Sequence, residues 1–248
     1  MSKIAMVTGA TSGIGWATAE ALAKEGYQLI ICGRRKERLQ ELSTKVGVKT
    51  LELIFDVSDR AAVAESLNNL PTAWKHIDVL VNNAGNAHGL GKIHEGNIDD
   101  WDAMIDINVK GLLYVTKAIV PNMVTRGAGH VVNIGSIAGK EAYPGGNVYC
   151  GSKHAVDAIN TGMRMDLNGT GVKVSQVCPG LVETEFALVR YKGDEDKAKM
   201  TYQGFDALRA EDIADLIRFI VTRPAHVNIA DTLILPAAQA SPTLVAKN

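Results

Sequence analysis

Cysteine is scarce in this 248-residue chain: the three present, Cys32, Cys150 and Cys178, lie far apart with no CxxC or Cys/His spacing. An odd, scattered set gives no disulfide framework and no zinc site, so no metal is expected and a reducing, cytoplasmic setting is. Neither sign of charge dominates, since 26 Lys and Arg face 27 Asp and Glu for a net charge of -1. Without a cationic surplus to displace counterions from a phosphate backbone, nucleic acid is not expected as a partner. Long apolar runs are missing as well. None approaches the roughly 18 residues that a membrane span needs, and no apolar leader follows Met1-Ser2-Lys3-Ile4, so membrane insertion and secretion are not expected. No internal repeat, low-complexity tract or Pro/Gly/Ser linker divides the chain. What is there, 46% hydrophobic and 21% charged residues, reads as one folded domain over 1-248.

Short β-branched runs recur: Ile4 to Thr8, Gln28 to Cys32, Thr50 to Phe55, Val79 to Val81, His130 to Ile134, Lys173 to Val177 and Leu233 to Leu235. Between them lie helix-period patterns, such as Ala17, Ala21 and Leu22 before Gly26, and Met104, Ile105, Asn108, Leu112 and Val115 after Trp101. This alternation predicts a single-domain, doubly wound α/β fold of about seven parallel strands with helices on both faces. One stretch departs from it. From about Phe186 to Phe205 charged residues crowd between the sixth and seventh strands, which reads either as a solvated surface helix or as a lid over the strand ends.

The first strand runs into Thr8-Gly9-Ala10-Thr11-Ser12-Gly13-Ile14-Gly15 and then a helix. A glycine turn in that place aims backbone N–H groups at a diphosphate beside the positive end of a helix, the context of the Rossmann dinucleotide fingerprint. A P-loop is excluded, because Ile14 follows Gly13 where a lysine would be needed. At the end of strand two, where an acidic residue would select NAD, stand Arg34 and Arg35. A guanidinium forks two donors onto a 2′-phosphate, so NADP is the expected cofactor. Asp56-Val57 and Asn82-Asn83-Ala84-Gly85 end strands three and four on the same sheet edge and predict an adenosine-binding rim, although Asp56 also reads as a helix N-cap.

Just past strand five stands Ser136, and Tyr149 precedes Lys153 by four residues, which puts both on one helix face. An ammonium beside a phenol favours the phenolate and fits Tyr149 for proton exchange, while the Ser136 hydroxyl can bond the same substrate oxygen. In this order and position the motifs resemble the short-chain dehydrogenase/reductase family, over nearly the whole chain. The resemblance implies a catalytic set of Asn108, Ser136, Tyr149 and Lys153. In it Lys153 holds the nicotinamide ribose and lowers the Tyr149 pKa, and Asn108 positions a water that links Lys153 to solvent. It also implies that Pro179-Gly180-Leu181-Val182-Glu183-Thr184 faces the nicotinamide, with Thr184 near the carboxamide. Gly145 to Tyr149, Val189 to Asp194 and Pro224 to Ile229 are similar to the NADP-dependent 3-hydroxy acid dehydrogenases, which act on serine, L-allo-threonine and related acids.

Three readings follow: oxidation of a small 3-hydroxy acid, reduction of an uncharged ketone, sugar or acyl thioester, or silent NADP binding by a sensor. The intact Ser136, Tyr149 and Lys153 argue against the last. Arg190, with Lys192 as second choice, argues for an anionic substrate whose carboxylate it would bind, unless both are solvated partners of Asp194 or Glu195. The helices from Trp101 and from Tyr149 carry apolar residues around much of their girth, including Ile105, Leu112, Leu113, Ala155, Val156 and Ile159. That surplus predicts a homotetramer.

Overall fold

The computed structural model describes residues 2–248 and holds a seven-stranded parallel sheet in the order β3-β2-β1-β4-β5-β6-β9. The strands are β1 (Ile4–Thr8), β2 (Gln28–Gly33), β3 (Thr50–Ile54), β4 (Val79–Asn82), β5 (Gly129–Ile134), β6 (Val172–Pro179) and β9 (Asp231–Ile234). All seven predicted strands are present, each within two residues at either end. The order reverses between β1 and β4, and at such a point the connections on either side leave a crevice at the carboxyl ends of the strands.

Two-residue periodicity divides the core. Ala5, Val7, Leu29, Ile31, Val79, Val81 and Val132 face one way, against α1 (Gly13–Lys24), α2 (Lys36–Val46) and α9 (Ala210–Val221). Their neighbours Ile4, Met6, Ile30, Cys32, Leu80 and Val131 face the other way, against α3 (Arg60–Asn68) and α5 (Leu112–Arg126). β1, β2, β4 and β5 therefore each present apolar residues to both faces, as a parallel sheet covered on both sides requires. No helix among the described residues is long and apolar enough to cross a membrane.

Three features position the crevice. The first is α4 (Ile98–Ile105), which continues into α5 through one wide π-type turn over Asp106–Gly111, and this turn carries Asn108. Such widened turns displace a side chain from the regular helix face and cluster at functional sites. The second is α6 (Asn147–Asp166), which bears Tyr149 and Lys153 on its first turns. It is tied to the sheet by a buried amide chain: Asn82 Nδ2 donates to Asn133 Oδ1 and Asn133 Nδ2 to Asn160 Oδ1, both at 3.0 Å. The third is a pair of two-residue strands absent from the predicted set, β7 (Val182–Glu183) and β8 (Leu208–Arg209). They close the neck of the charged segment, which folds as α7 (Phe186–Arg190) and α8 (Glu195–Tyr202). Of the two readings of that segment, α8 matches the solvated helix, with no buried residue, whereas α7 buries Ala187 and faces the crevice.

Gly15 shows how tightly the crevice floor is packed. A Cβ there would overlap the Gly9 carbonyl oxygen and the Asn83 amide. Gly15→Ala is expected to cost about 1–3 kcal/mol of stability, the usual range for overpacking, read from urea unfolding midpoints. A change below about 0.5 kcal/mol would mean that the turn can yield.

Candidate active site

At the sheet reversal the cut ends of β1 and β4 are laced together. Thr8 Oγ1 accepts from the backbone N–H groups of Asn83 and Ala84, each at 3.0 Å, and Asn83 Nδ2 donates to the carbonyls of Thr8 (2.8 Å) and Gly9 (3.2 Å). The glycine turn starts from this knot with Gly9 and Gly13 at φ +65° and +50°, a left-handed conformation that side chains disfavour. A Cβ on Gly13 would press on Thr184 at 3.2 Å, so the bare backbone there sets the spacing between the turn and the residues after β6.

The cleft above measures about 500 Å3. Along its floor and far wall it collects Gly9, Thr11, Ser12, Gly13 and Ile14, then Val57, Asn83, Ala84 and Gly85, then Pro179, Gly180, Val182 and Thr184. Gly15 lies behind the turn as packing. At one end stand both arginines of the β2 terminus. Arg34 Nη1 pairs with Asp56 Oδ2 at 3.1 Å, while Arg35 holds Thr11 Oγ1 through Nε and Nη2 and reaches Glu185 at 2.9 Å through Nη1. The N-cap of α3 is Asp59, which accepts from Ala61 and Ala62, so Asp56 is free for the rim. Burial raises the Asp56 carboxyl, but hydrogen bonds from Ser58 and the Arg34 charge outweigh it and hold the group below the ordinary carboxylate value.

At the other end Ser136, Tyr149 and Lys153 line the same cleft. Tyr149 is 8% exposed and Lys153 6%. The Lys153 ammonium donates to the Ile134 carbonyl at 2.9 Å and has no carboxylate partner among the described residues. Burial therefore lowers its pKa to about 8. Tyr149 is pushed up to about 12 by burial, partly offset by the Arg190 charge and by hydrogen bonding to Ser136. The expectation that Lys153 lowers this phenol is corrected here: in the protein alone desolvation wins, and the largest opposing charge is Arg190. Its guanidinium carbon lies 4.9 Å from the centre of the Tyr149 ring and 5.3 Å from that of Phe186, and Nη2 donates to the Tyr143 hydroxyl at 2.8 Å.

Asn108 does not line the cleft. Its amide grips the backbone of Asn86 from both sides, Oδ1 accepting from Asn86 N and Nδ2 donating to Asn86 O, both at 2.8 Å. It still lies near the ammonium, because a Cβ on Gly85 would stand 3.1 Å from Asn108 Oδ1 and 3.6 Å from Lys153 Nζ. Arg190 and Lys192 part company. Neither pairs with Asp194 or Glu195, which bind Lys197 and Lys199, and Lys192, at φ +53°, pairs with Asp100 at 2.8 Å. Sequence reasoning missed Tyr143, Glu185 and the pair Asn86 and His88. All four lie outside the regular elements, where no hydrophobic period marks a direction.

The model of the short chain dehydrogenase family matches residues 3–196. An NADP-dependent 3-hydroxy acid dehydrogenase of Salmonella typhi is 47% identical over 237 residues, 95% of this chain and 96% of that protein. Sulfoacetaldehyde reductase 2 of Chromohalobacter salexigens is 44% identical over 243 residues, 97% and 96% of the two chains. Among solved structures, the closed form of serine dehydrogenase complexed with NADP+ superposes with a TM-score of 0.94 at 45% identity, over 99% of each chain.

A phenol raised to about 12 by burial stays protonated across the neutral range. Ultraviolet difference titration of the wild type against Tyr149→Phe is expected to show no ionisation of this residue up to about pH 10. A midpoint below about pH 9 would mean that nearby cations outweigh burial after all.

Proposed function

The chain belongs to the short chain dehydrogenase family, and on that premise we propose that it is an NADP-dependent oxidoreductase acting on the 3-hydroxyl of small 3-hydroxy acids and on the matching 3-oxo acids. One observation carries the substrate class. Arg190 stands beside Tyr149 with its Nε buried and unpartnered, and no carboxylate among the described residues neutralises it. An enclosed cation with an idle donor calls for an anionic ligand, and a guanidinium fork suits a carboxylate best. Arg190, not the ion-paired Lys192, is therefore the carboxylate reader. The sulfonate of a sulfoacetaldehyde would suit the same fork, whereas an uncharged ketone or sugar would leave it unanswered. An intact proton donor also argues against a silent binder.

The cleft suits the dinucleotide by its glycine turn at the start of α1, where Ser12 makes no side-chain cap and leaves the first N–H groups of the helix for a diphosphate. Gly9, Thr11, Ser12, Gly13 and Ile14 would hold the diphosphate, with Gly15 behind them. Arg34, assisted by Arg35, would take the 2′-phosphate. Asp56, Val57, Asn83, Ala84 and Gly85 would form the adenosine side, and Pro179, Gly180, Val182 and Thr184 the nicotinamide side. When bound, NADP supplies or accepts the hydride. Tyr149 then holds the proton that the substrate oxygen gains or loses, Ser136 hydrogen-bonds that oxygen, Arg190 is the cation that most favours the phenolate, and Lys153 would bind ribose hydroxyls. The Asn108 side chain serves as a clamp on Asn86, and its Oδ1, which lies near Lys153 and accepts only one bond, keeps a lone pair for the water of the relay.

The paired neck of β7 and β8 supports the 186–205 segment as a lid on a single NADP-binding domain. Exposed Leu113 and Val124 on α5 and Met165 on α6 support a homotetramer, and three free cysteines suit the cytoplasm.

Two measurements test the reading. Arg190→Ala is expected to lower kcat/KM for 3-hydroxy acids by about 1–3 kcal/mol in transition-state terms and to spare uncharged alcohols, and equal losses would remove Arg190 as the carboxylate reader. Arg34→Ala is expected to weaken NADPH binding by about 1–3 kcal/mol and leave NADH binding nearly unchanged, by fluorescence titration.

A further inference from the structure

One wall of the cleft is a loop, residues 86–91, fixed at three points. Asn108 grips Asn86, the Gly89 N–H donates to the Arg190 carbonyl at 2.8 Å, and Gly91 is bonded through its N–H to Gly145 (3.1 Å) and through its carbonyl to the Asn147 amide (3.2 Å). The loop backbone is thus tied to the clamp residue, to the proposed carboxylate reader and to the start of α6. Two polar side chains from it line the cleft, Asn86 and His88, and they bond each other, Asn86 Nδ2 to His88 Nε2 at 2.9 Å. Neither bonds Ser136, Tyr149 or Lys153, so the proton chemistry leaves them without a task.

Their own bond leaves an acceptor over. Asn86 Oδ1 is buried with no partner. Were the amide turned to accept from the ring, the idle acceptor would be His88 Nδ1 instead. Burial holds His88 below the ordinary histidine value, with Asp100 opposing and Lys192 and Arg34 adding to the effect. A neutral ring beside a neutral amide does not repel a cation. With the carboxylate on Arg190 and the reacting oxygen at Ser136 and Tyr149, the carbon between them is left to this loop, whose backbone bond to Arg190 keeps it alongside.

We infer that Asn86 and His88 determine specificity by accepting a hydrogen bond from a donor on that middle carbon, above all an ammonium, so that the cleft favours 2-amino-3-hydroxy acids over acids bare at that position. The inference rests on the 3-hydroxy acid reading of the site. Its physical basis is that a buried acceptor left unpaired by the shorter analogue discriminates far better than an apolar pocket can.

Serine and 3-hydroxypropionate differ only in the amino group, so their kcat/KM values with NADP+ in the wild type, Asn86→Leu, His88→Leu and His88→Gln form the test. Both Leu variants are expected to lower the serine value about tenfold or more, mainly through KM, and to change 3-hydroxypropionate by less than about threefold. His88→Gln, which keeps a donor and an acceptor, is expected to stay within about threefold of wild type for both acids. NADPH fluorescence titration verifies that each variant is folded, and two positions keep the comparison readable when one variant folds poorly. A serine to 3-hydroxypropionate ratio unchanged in the Leu variants overturns this inference and leaves the 3-hydroxy acid reading standing. Oxidation of neither acid by the wild type overturns both.

Discussion

The four hydrogen bonds that join Thr8 and Gly9 to Asn83 and Ala84 are the constraint on which the site depends. Where the strand order reverses, β1 and β4 are neighbours whose continuations diverge, and their last backbone groups lose the partners a regular ladder would supply. One threonine hydroxyl and one asparagine amide satisfy them. The glycine turn leaves from one side of this knot, and the Ala84-Gly85-Asn86 run that meets Asn108 and Lys153 leaves from the other. Distances across the cleft are therefore set at a single point.

From that point outward the site is a compromise between burial and charge. Lys153 is buried with a single hydrogen bond, to a carbonyl, and Arg190 is enclosed by three aromatic rings. Each is costly to desolvate, and neither meets a carboxylate among the described residues. In a protein built for stability alone such cations would be paired or replaced. Here the deficit is confined to Lys153 and to Arg190 beside the Tyr149 ring, while the arginines at the opposite end of the cleft are already matched by Asp56 and Glu185.

Much of this was legible in the chain because it is written in short-range patterns. Strands declare themselves by β-branched runs, and Tyr149 and Lys153 by a spacing that any helix converts into a shared face. The glycine turn is readable because strand and helix flank it. The remainder depends on contacts between residues far apart in the chain. Two residues each are too few for β7 and β8 to show a period, and the wide turn at 106–111 has no proline to announce it. Arg190 is named for its charge in a run that reads either as solvated or as a lid, and only α7, turned inward, encloses it with Phe186 and the distant Tyr143 and Tyr149. The Tyr149 environment misled for the same reason: spacing put a lysine beside the phenol, but burial is a property of the packed whole.

The β7 and β8 neck has an evolutionary consequence. By pairing Val182 with Leu208 and Glu183 with Arg209, it brings the two ends of the intervening segment together whatever lies between them. Because the entropy of closing a loop grows only slowly with its length, residues can be gained, lost or exchanged in that segment at small cost to the sheet. A segment that lines the cleft through Phe186 and Val189 is thus insulated from the sheet beneath it, and a descendant could reshape that wall without having to learn to fold again.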